Sequence, residues 1–166
     1  TGALERHVAF GNNDRPGIMT ANAARVYLNR FAVRAGENIV IATNNDSAYA
    51  GAAELAQAGA SVQILDARKS IPDAIRAQAA DAHAALRTGA APLMAHGAKG
   101  ITALDIAEQQ AANWRETGKT DCDLLLVSGG WSPVVNLLSH RGVKPVWDAD
   151  LACFVPGQTN EPLAMA

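Results

Sequence analysis

One stretch constrains the fold more than any other. The apolar run Asn38-Ile39-Val40-Ile41-Ala42-Thr43 passes directly into the small-polar turn Asn44-Asn45-Asp46 and then into the alanine-rich segment Ser47-Ala48-Tyr49-Ala50-Gly51-Ala52. An apolar run bounded by turn residues reads as a buried strand, and the small residues after it let a helix backbone lie close against a sheet. A second apolar run, Ser61-Val62-Gln63-Ile64-Leu65-Asp66, follows Gly59 and ends on a carboxylate. Strand, helix, strand is the order of a mononucleotide-binding βαβ half.

The rest of the chain extends this pattern. Residues 1–18 are turn-rich, with Gly11-Asn12-Asn13-Asp14-Arg15-Pro16-Gly17 at their centre, so residues 1–19 read as a connector. Ala24, Tyr27, Leu28 and Phe31 then recur at helical spacing, with Thr20 placed as N-cap and Gly36 past the end. A helix is expected over residues 47–58. Another is expected to start at Ile71-Pro72-Asp73 and run to about Leu86, with Gly89 beyond it. Ala90–His96 reads as a third parallel strand. Residues 101–116 read two ways: Leu104, Ala107, Ala111 and Trp114 suit a helix, whereas Lys99-Gly100 and Gly118-Lys119 look like turns around an antiparallel excursion. Asp123-Leu124-Leu125-Leu126-Val127-Ser128 is typical of a strand buried on both faces, and it ends in Gly129-Gly130-Trp131-Ser132-Pro133. The expected fold is a Rossmann-like α/β parallel sheet with helices on both faces.

At 166 residues the chain has the length of one domain. A formal charge of −2 with 18% charged residues leaves no electrostatic footprint for nucleic acid, and no nucleic-acid partner is expected. No apolar run has membrane-spanning length, so the expectation is no membrane association and a cytoplasmic location. Cys122 and Cys153 lack C-x-x-C spacing, and His7, His83, His96 and His140 show no i,i+4 pairing. Neither a zinc site nor a dithiol centre is expected. No nucleophile with a matched base and no working pair of carboxylates appears, so no residue is assigned a catalytic role.

Binding chemistry is legible at three places. Set against G-x-G-x-x-G/A, the first turn puts Thr43 at the first glycine, Asn45 at the second and Ala48 at the third, where alanine is accepted. Asn45 tolerates left-handed geometry, and Ser47 with the first helical N–H groups can donate to phosphate oxygens. Asp46 argues the other way, because a carboxylate there repels a pyrophosphate that uses the same donors. Asp66 lies 23 residues beyond Thr43, close to the spacing of an acid that binds a ribose 2′-hydroxyl, which favours NAD. Arg68, two residues on, is also how a 2′-phosphate is accommodated. Gly129 and Gly130 end a central strand, where they either admit a ligand closely or simply form a tight turn.

These residues, with Thr1-Gly2-Ala3, Asn13-Asp14-Arg15-Pro16-Gly17-Ile18-Met19, Tyr27-Leu28-Asn29-Arg30, Cys122-Asp123-Leu124-Leu125 and Phe154-Val155-Pro156-Gly157, resemble the pyridine-nucleotide-binding region of the heterotetrameric sarcosine oxidase α-subunit family. The Asn-Asn-Asp-Ser-Ala-Tyr turn and the Ser-Gly-Gly-Trp-x-Pro loop are its most specific parts. The resemblance implies an NAD-binding domain over residues 20–157, a connector from a preceding FAD/NAD-type domain before it, and a tail at 158–166 leading to further domains. It carries over Thr43, Asn44, Asn45, Asp46 and Ser47 as the pyrophosphate turn and Asp66, Ala67 and Arg68 as the ribose end, and it favours a β-meander crossover for residues 101–117. It also implies a heteromeric flavoprotein complex that oxidatively demethylates sarcosine to glycine, formaldehyde and hydrogen peroxide. The FAD and FMN of that complex would be held outside these residues, and other subunits are the expected partners. A related amine or opine oxidase, or a structural βαβ domain serving subunit assembly, remain the alternatives.

Overall fold

The computed structural model describes residues 2–111 and 113–159; Thr1, Ala112 and most of the expected tail at 158–166 lie outside the described residues. In chain order the elements are β1 (Ala3–Glu5), β2 (Ile18–Thr20), α1 (Ala21–Phe31), β3 (Asn38–Thr43), α2 (Ser47–Gln57), β4 (Ser61–Asp66) and α3 (Asp73–Asp81). They continue with β5 (Ala85–Thr88), β6 (Ala90–His96), β7 (Ala103–Gln110), β8 (Asn113–Asp121), β9 (Leu124–Ser128), β10 (Trp131–Pro133), α4 (Asn136–Ser139), β11 (Val146–Asp148) and β12 (Cys153–Val155). The chain forms two compact units: residues 7–130, and residues 2–6 with 131–159. Among the described residues, no helix is long and apolar enough to cross a membrane.

The larger unit is built on a five-stranded parallel sheet of order β2-β9-β3-β4-β5. Side chains alternate across a strand, and here both faces are buried. Ile39, Ile41, Val62, Ile64, Leu124 and Leu126 face the helices, packing with Ala24, Tyr49, Ala52, Leu55 and Ala79. Val40, Ala42, Leu65, Leu125 and Val127 face the other way, packing with Ala95, Leu104 and Ile106 of the antiparallel sheet β6-β7-β8. The helices therefore cover one face only, and a three-stranded meander covers the other, which corrects the expectation of helices on both. The meander is the crossover between β5 and β9.

Local chemistry explains the elements. Thr20 caps α1, its hydroxyl accepting the Ala23 N–H at 3.4 Å, and Ala32 closes the helix in the left-handed region at φ 53°. A Cβ at Gly51 would stand 2.8 Å from Cδ of Arg25, so glycine is what lets the Arg25 stem cross α2 on its way to Glu54. That ion pair joins the two helices, and hydrogen bonding from Arg25 holds the Glu54 carboxyl below its ordinary range.

Four expectations are corrected. The helix expected to reach Leu86 ends at Asp81; His83 turns the chain at φ 52°, and Ala85–Thr88 becomes the parallel edge strand beside β4. Alanine's helix propensity yields there to the sheet's demand for a paired edge on β4. Consequently Ala90–His96 is not a third parallel strand but pairs antiparallel with β7. Gly118-Lys119, expected as a turn, lies inside β8 at a register shift where Ile106 faces Gly118 and Ala107 faces Glu116, within the β-meander that the resemblance favours over a helix. Ile18 and Met19, expected within the connector, pair together with Thr20 against β9 as the other edge of the sheet.

In the smaller unit β1 pairs antiparallel with β10 and β11 with β12. Trp147 and Phe154 meet edge to face at 5.2 Å across the second ribbon, and Arg6 donates to the Ala152 carbonyl at 2.7 Å.

Candidate functional site

The chain leaves β3 towards β4 on one side, while β9 lies on its other side and is reached only after the meander. The carboxyl ends of β3 and β9 thus form the topological switch point of an open parallel sheet, the place where such sheets bind ligands. Thr43 and Ser128, the last residues of these strands, are register partners and both are buried.

The turn from β3 to α2 is organised by side chains where a glycine-rich turn would use bare backbone. Thr43 Oγ1 accepts the Asn45 N–H at 3.1 Å. Asn45 Nδ2 donates to the Ser128 carbonyl at 3.0 Å and to its hydroxyl at 3.2 Å, while Asn45 Oδ1 accepts the Ser47 N–H at 3.1 Å and the Ser47 hydroxyl at 2.6 Å. Asn44 is exposed and donates its N–H to the Ser128 carbonyl at 3.4 Å. Gly129 and Gly130 continue β9 as buried residues, and Gly130, at φ 88°, takes the left-handed backbone that glycine permits.

The β4 end is held by charge. Asp66 is fully buried, and its Oδ1 accepts the Arg68 N–H at 2.9 Å and Arg68 Nε at 3.1 Å. Its Oδ2 accepts the Tyr49 hydroxyl and a terminal guanidinium nitrogen of Arg68, each at 2.8 Å. A carboxylate has about four lone-pair sites, so these four bonds fill it. The remaining terminal nitrogen of Arg68 reaches Asp46 Oδ1 at 2.8 Å. Asp66 keeps the guanidinium firmly protonated, and burial together with Asp66 pushes the Tyr49 hydroxyl well above its ordinary range. Ala67 ties the two strand ends together, donating its N–H to the Thr43 carbonyl at 2.9 Å.

The structure therefore brings Thr43, Asn44, Asn45, Asp46 and Ser47 together with Asp66, Ala67 and Arg68 at one end of the sheet, with Gly129 and Gly130 at the end of the neighbouring strand. Asp46, expected to repel an anion, is paired with Arg68. Asp66, expected to meet a ribose, is sealed under Tyr49 and Arg68. Two partners were not singled out from sequence. Tyr49 is the one large polar side chain among the buried residues of an otherwise small-residue helix, and Ser128 is the polar end of an apolar strand. Beside the turn, on the meander side, lies an apolar cleft of about 290 Å³, counting space open to solvent, lined by Ala42, Thr43, Leu65, Ala67 and Pro92 among others. Among the described residues no group of three His, Cys, Asp or Glu side chains is placed to hold a metal.

The same architecture recurs in solved oxidoreductases. Thioredoxin reductase of T. acidophilum superposes with a TM-score of 0.68 at 14% identity, over 87% of this chain and 47% of that one. The Lactococcus lactis thioredoxin reductase gives 0.67 at 19%, over the same shares. The chain thus shares the fold of these reductases, a Rossmann-like parallel sheet with flanking helices. No family model matches the chain. Over its whole length, however, it is 45% identical to sarcosine oxidase subunit alpha of Corynebacterium sp. (strain P-1) and 43% identical to that of Corynebacterium sp. (strain U-96), spanning 18% of each. The Rhizobium meliloti (strain 1021) subunit is 40% identical over 95% of the chain, which covers 15% of it. The chain belongs to the sarcosine oxidase α-subunit family, of whose members it spans less than one fifth.

Proposed function

We propose that this chain is the NAD-binding domain of a sarcosine oxidase α-like subunit, part of a cytoplasmic, heteromeric flavoprotein complex that oxidatively demethylates sarcosine to glycine, formaldehyde and hydrogen peroxide. The observation that carries this reading is the switch-point turn with its carboxylate paired: the Arg68 guanidinium sits 2.8 Å from Asp46, so the start of α2 carries no unpaired carboxylate where an anion would sit. The N–H groups of Asn45 and Ser47 and the Ser47 hydroxyl, now engaged by Thr43 and Asn45, would exchange these partners for pyrophosphate oxygens. The turn formed by Thr43, Asn44, Asn45, Asp46 and Ser47 would hold the pyrophosphate, with the Asn45 side chain bracing the turn, Gly129 and Gly130 would admit it closely, and Asp66, Ala67 and Arg68 would flank the ribose. A nicotinamide bound there supplies hydride-transfer capacity. This chain's own residues bind and orient, and FAD and FMN belong to other parts of the complex.

The test is calorimetric titration of the intact subunit with NAD, before and after Asn44→Trp. Asn44 is exposed, so a bulky side chain there obstructs the mouth of the turn without disturbing the core. Saturable NAD binding that is lost in the variant supports the reading; binding unaffected by the tryptophan moves the dinucleotide elsewhere.

A second reading has its own observation. Asn45 already satisfies Ser47 and Ser128, and Asp66 has no acceptor site left, which suits a structural βαβ domain that serves subunit assembly. Absence of any NAD binding by the folded, intact subunit would favour it.

A further inference from the structure

Resting on the reading of this turn as a dinucleotide site, we infer that Asp46 sets which dinucleotide it takes: by committing the Arg68 guanidinium, Asp46 excludes the 2′-phosphorylated form. In a Rossmann-type site the selectivity handle is expected at the end of the second strand of the βαβ unit, here Asp66. That carboxylate is fully buried and its four acceptor positions are taken by Tyr49 and Arg68, so it has none to offer a ribose hydroxyl. Its work is to anchor the guanidinium in a bidentate grip through Nε and one terminal nitrogen.

The outer face of Arg68 is what a 2′-phosphate would need. Asp46 already engages that face, since the remaining terminal nitrogen lies 2.8 Å from Asp46 Oδ1. Asp46 itself is half exposed and makes no capping bond to α2, so its carboxylate has no structural duty in the helix start. With both acids and the arginine ionised, the cluster carries a net charge of −1. A phosphate monoester bearing about −1.5 to −2 charges at neutral pH meets that negative balance and a guanidinium with three of its five N–H groups already committed to carboxylates. NAD, whose adenosine ribose carries only hydroxyls, shares the pyrophosphate but brings no second phosphate to Arg68. Asp46 thus acts through Arg68 as a specificity determinant placed on the phosphate turn rather than on the second strand.

The isosteric Asp46→Asn removes the charge and keeps the shape. In the intact subunit, titrated with NAD, NADP and the fragment adenosine 2′,5′-bisphosphate, the variant is expected to raise the NADP-to-NAD affinity ratio on the order of tenfold and to tighten the bisphosphate with it, whatever its effect on NAD itself. The gain should shrink at high salt, and Asp46→Ala should reproduce it. If wild type binds NAD and the NADP-to-NAD ratio does not move in either variant, the inference is overturned while the dinucleotide reading stands. An equal gain for NAD and NADP also overturns it, showing general charge repulsion instead. If the folded wild type binds none of the three ligands, the dinucleotide reading itself fails and takes the inference with it.

Discussion

The Tyr49 hydroxyl donates to Asp66 Oδ2 at 2.8 Å, joining the first helical turn after β3 to the last residue of β4 inside the protein. Tyr49 is 1% exposed and Asp66 0%, so neither group has water to fall back on. Tyr49→Phe keeps the ring packed among Ile39, Ala52 and Leu55 and removes one donor from a buried carboxylate. The expected loss is about 1–3 kcal/mol of stability, the cost of a buried acceptor left short of a partner. Urea unfolding of the two proteins measures it; equal midpoints would mean that Asp66 is satisfied by Arg68 alone.

Leu104 and Ile106 of β7 are fully buried against the second face of the parallel sheet. The meander does there what a helix layer does in other α/β sheets, so its apolar contacts belong to the main core. Leu104→Ala is expected to cost about 2–5 kcal/mol, as for other large-to-small changes in packed cores. A shift in the thermal midpoint of less than two degrees would show instead that the meander is a loosely held excursion.

Sequence patterning carried β3, α2, β4 and β9 because each has a strong local signature: continuous apolar runs for strands buried on both faces, and small residues bounded by Gly59 for the helix. It overran α3 because the alanines at 84 and 85 have helix propensity while their native role, at and beside the edge strand, is set by β4, which is remote in sequence. The meander stayed ambiguous because Leu104, Ala107 and Ala111 satisfy helical spacing, and only pairing with β6 and β8 decides between the two states. At the site, the residues of the turn and of the β4 end could be named from their spacing. The connections among them could not: that Arg68 bridges Asp46 and Asp66, and that Asn45 reaches Ser128, depend on distances of 22 and 83 residues along the chain.

Cys122 ends the turn out of β8 with its thiol buried, and burial, aided by Asp123 and Asp121, pushes the thiol pKa up to about 11. A thiol that is buried and protonated at neutral pH is unreactive, since the thiolate is the nucleophile. Folding favours the protonated form, so this group's contribution to stability is full below the ordinary thiol pKa of about 8.5 and is lost as pH rises from there towards 11. Cys122 is expected to resist a disulfide reagent at pH 8 in the native protein and to react promptly in denaturant. Following the labelled site by peptide mapping separates it from Cys153; rapid native labelling at Cys122 would contradict the packing described.

Asn45 holds the turn between β3 and α2 closed from both ends, since one side-chain amide donates to Ser128 on β9 and accepts from Ser47 at the start of α2. Replacing it with alanine removes one of the donors to the Ser128 carbonyl, which keeps the Asn44 N–H, and removes the Asn45 acceptor from Ser47. Because the site is only partly buried, water can reach some of these groups, and the expected destabilisation is about 1–2 kcal/mol. The same substitution removes an acceptor that competes with an incoming phosphate for the Ser47 N–H. If the turn binds NAD, Asn45→Ala should therefore lose stability yet keep or improve NAD affinity, an opposition that a residue required to contact the ligand would not show. Denaturant unfolding and calorimetric titration of the one variant read both quantities. A parallel fall in stability and affinity would make Asn45 a ligand-contacting residue, and would reassign the Ser47 N–H to the frame of the turn.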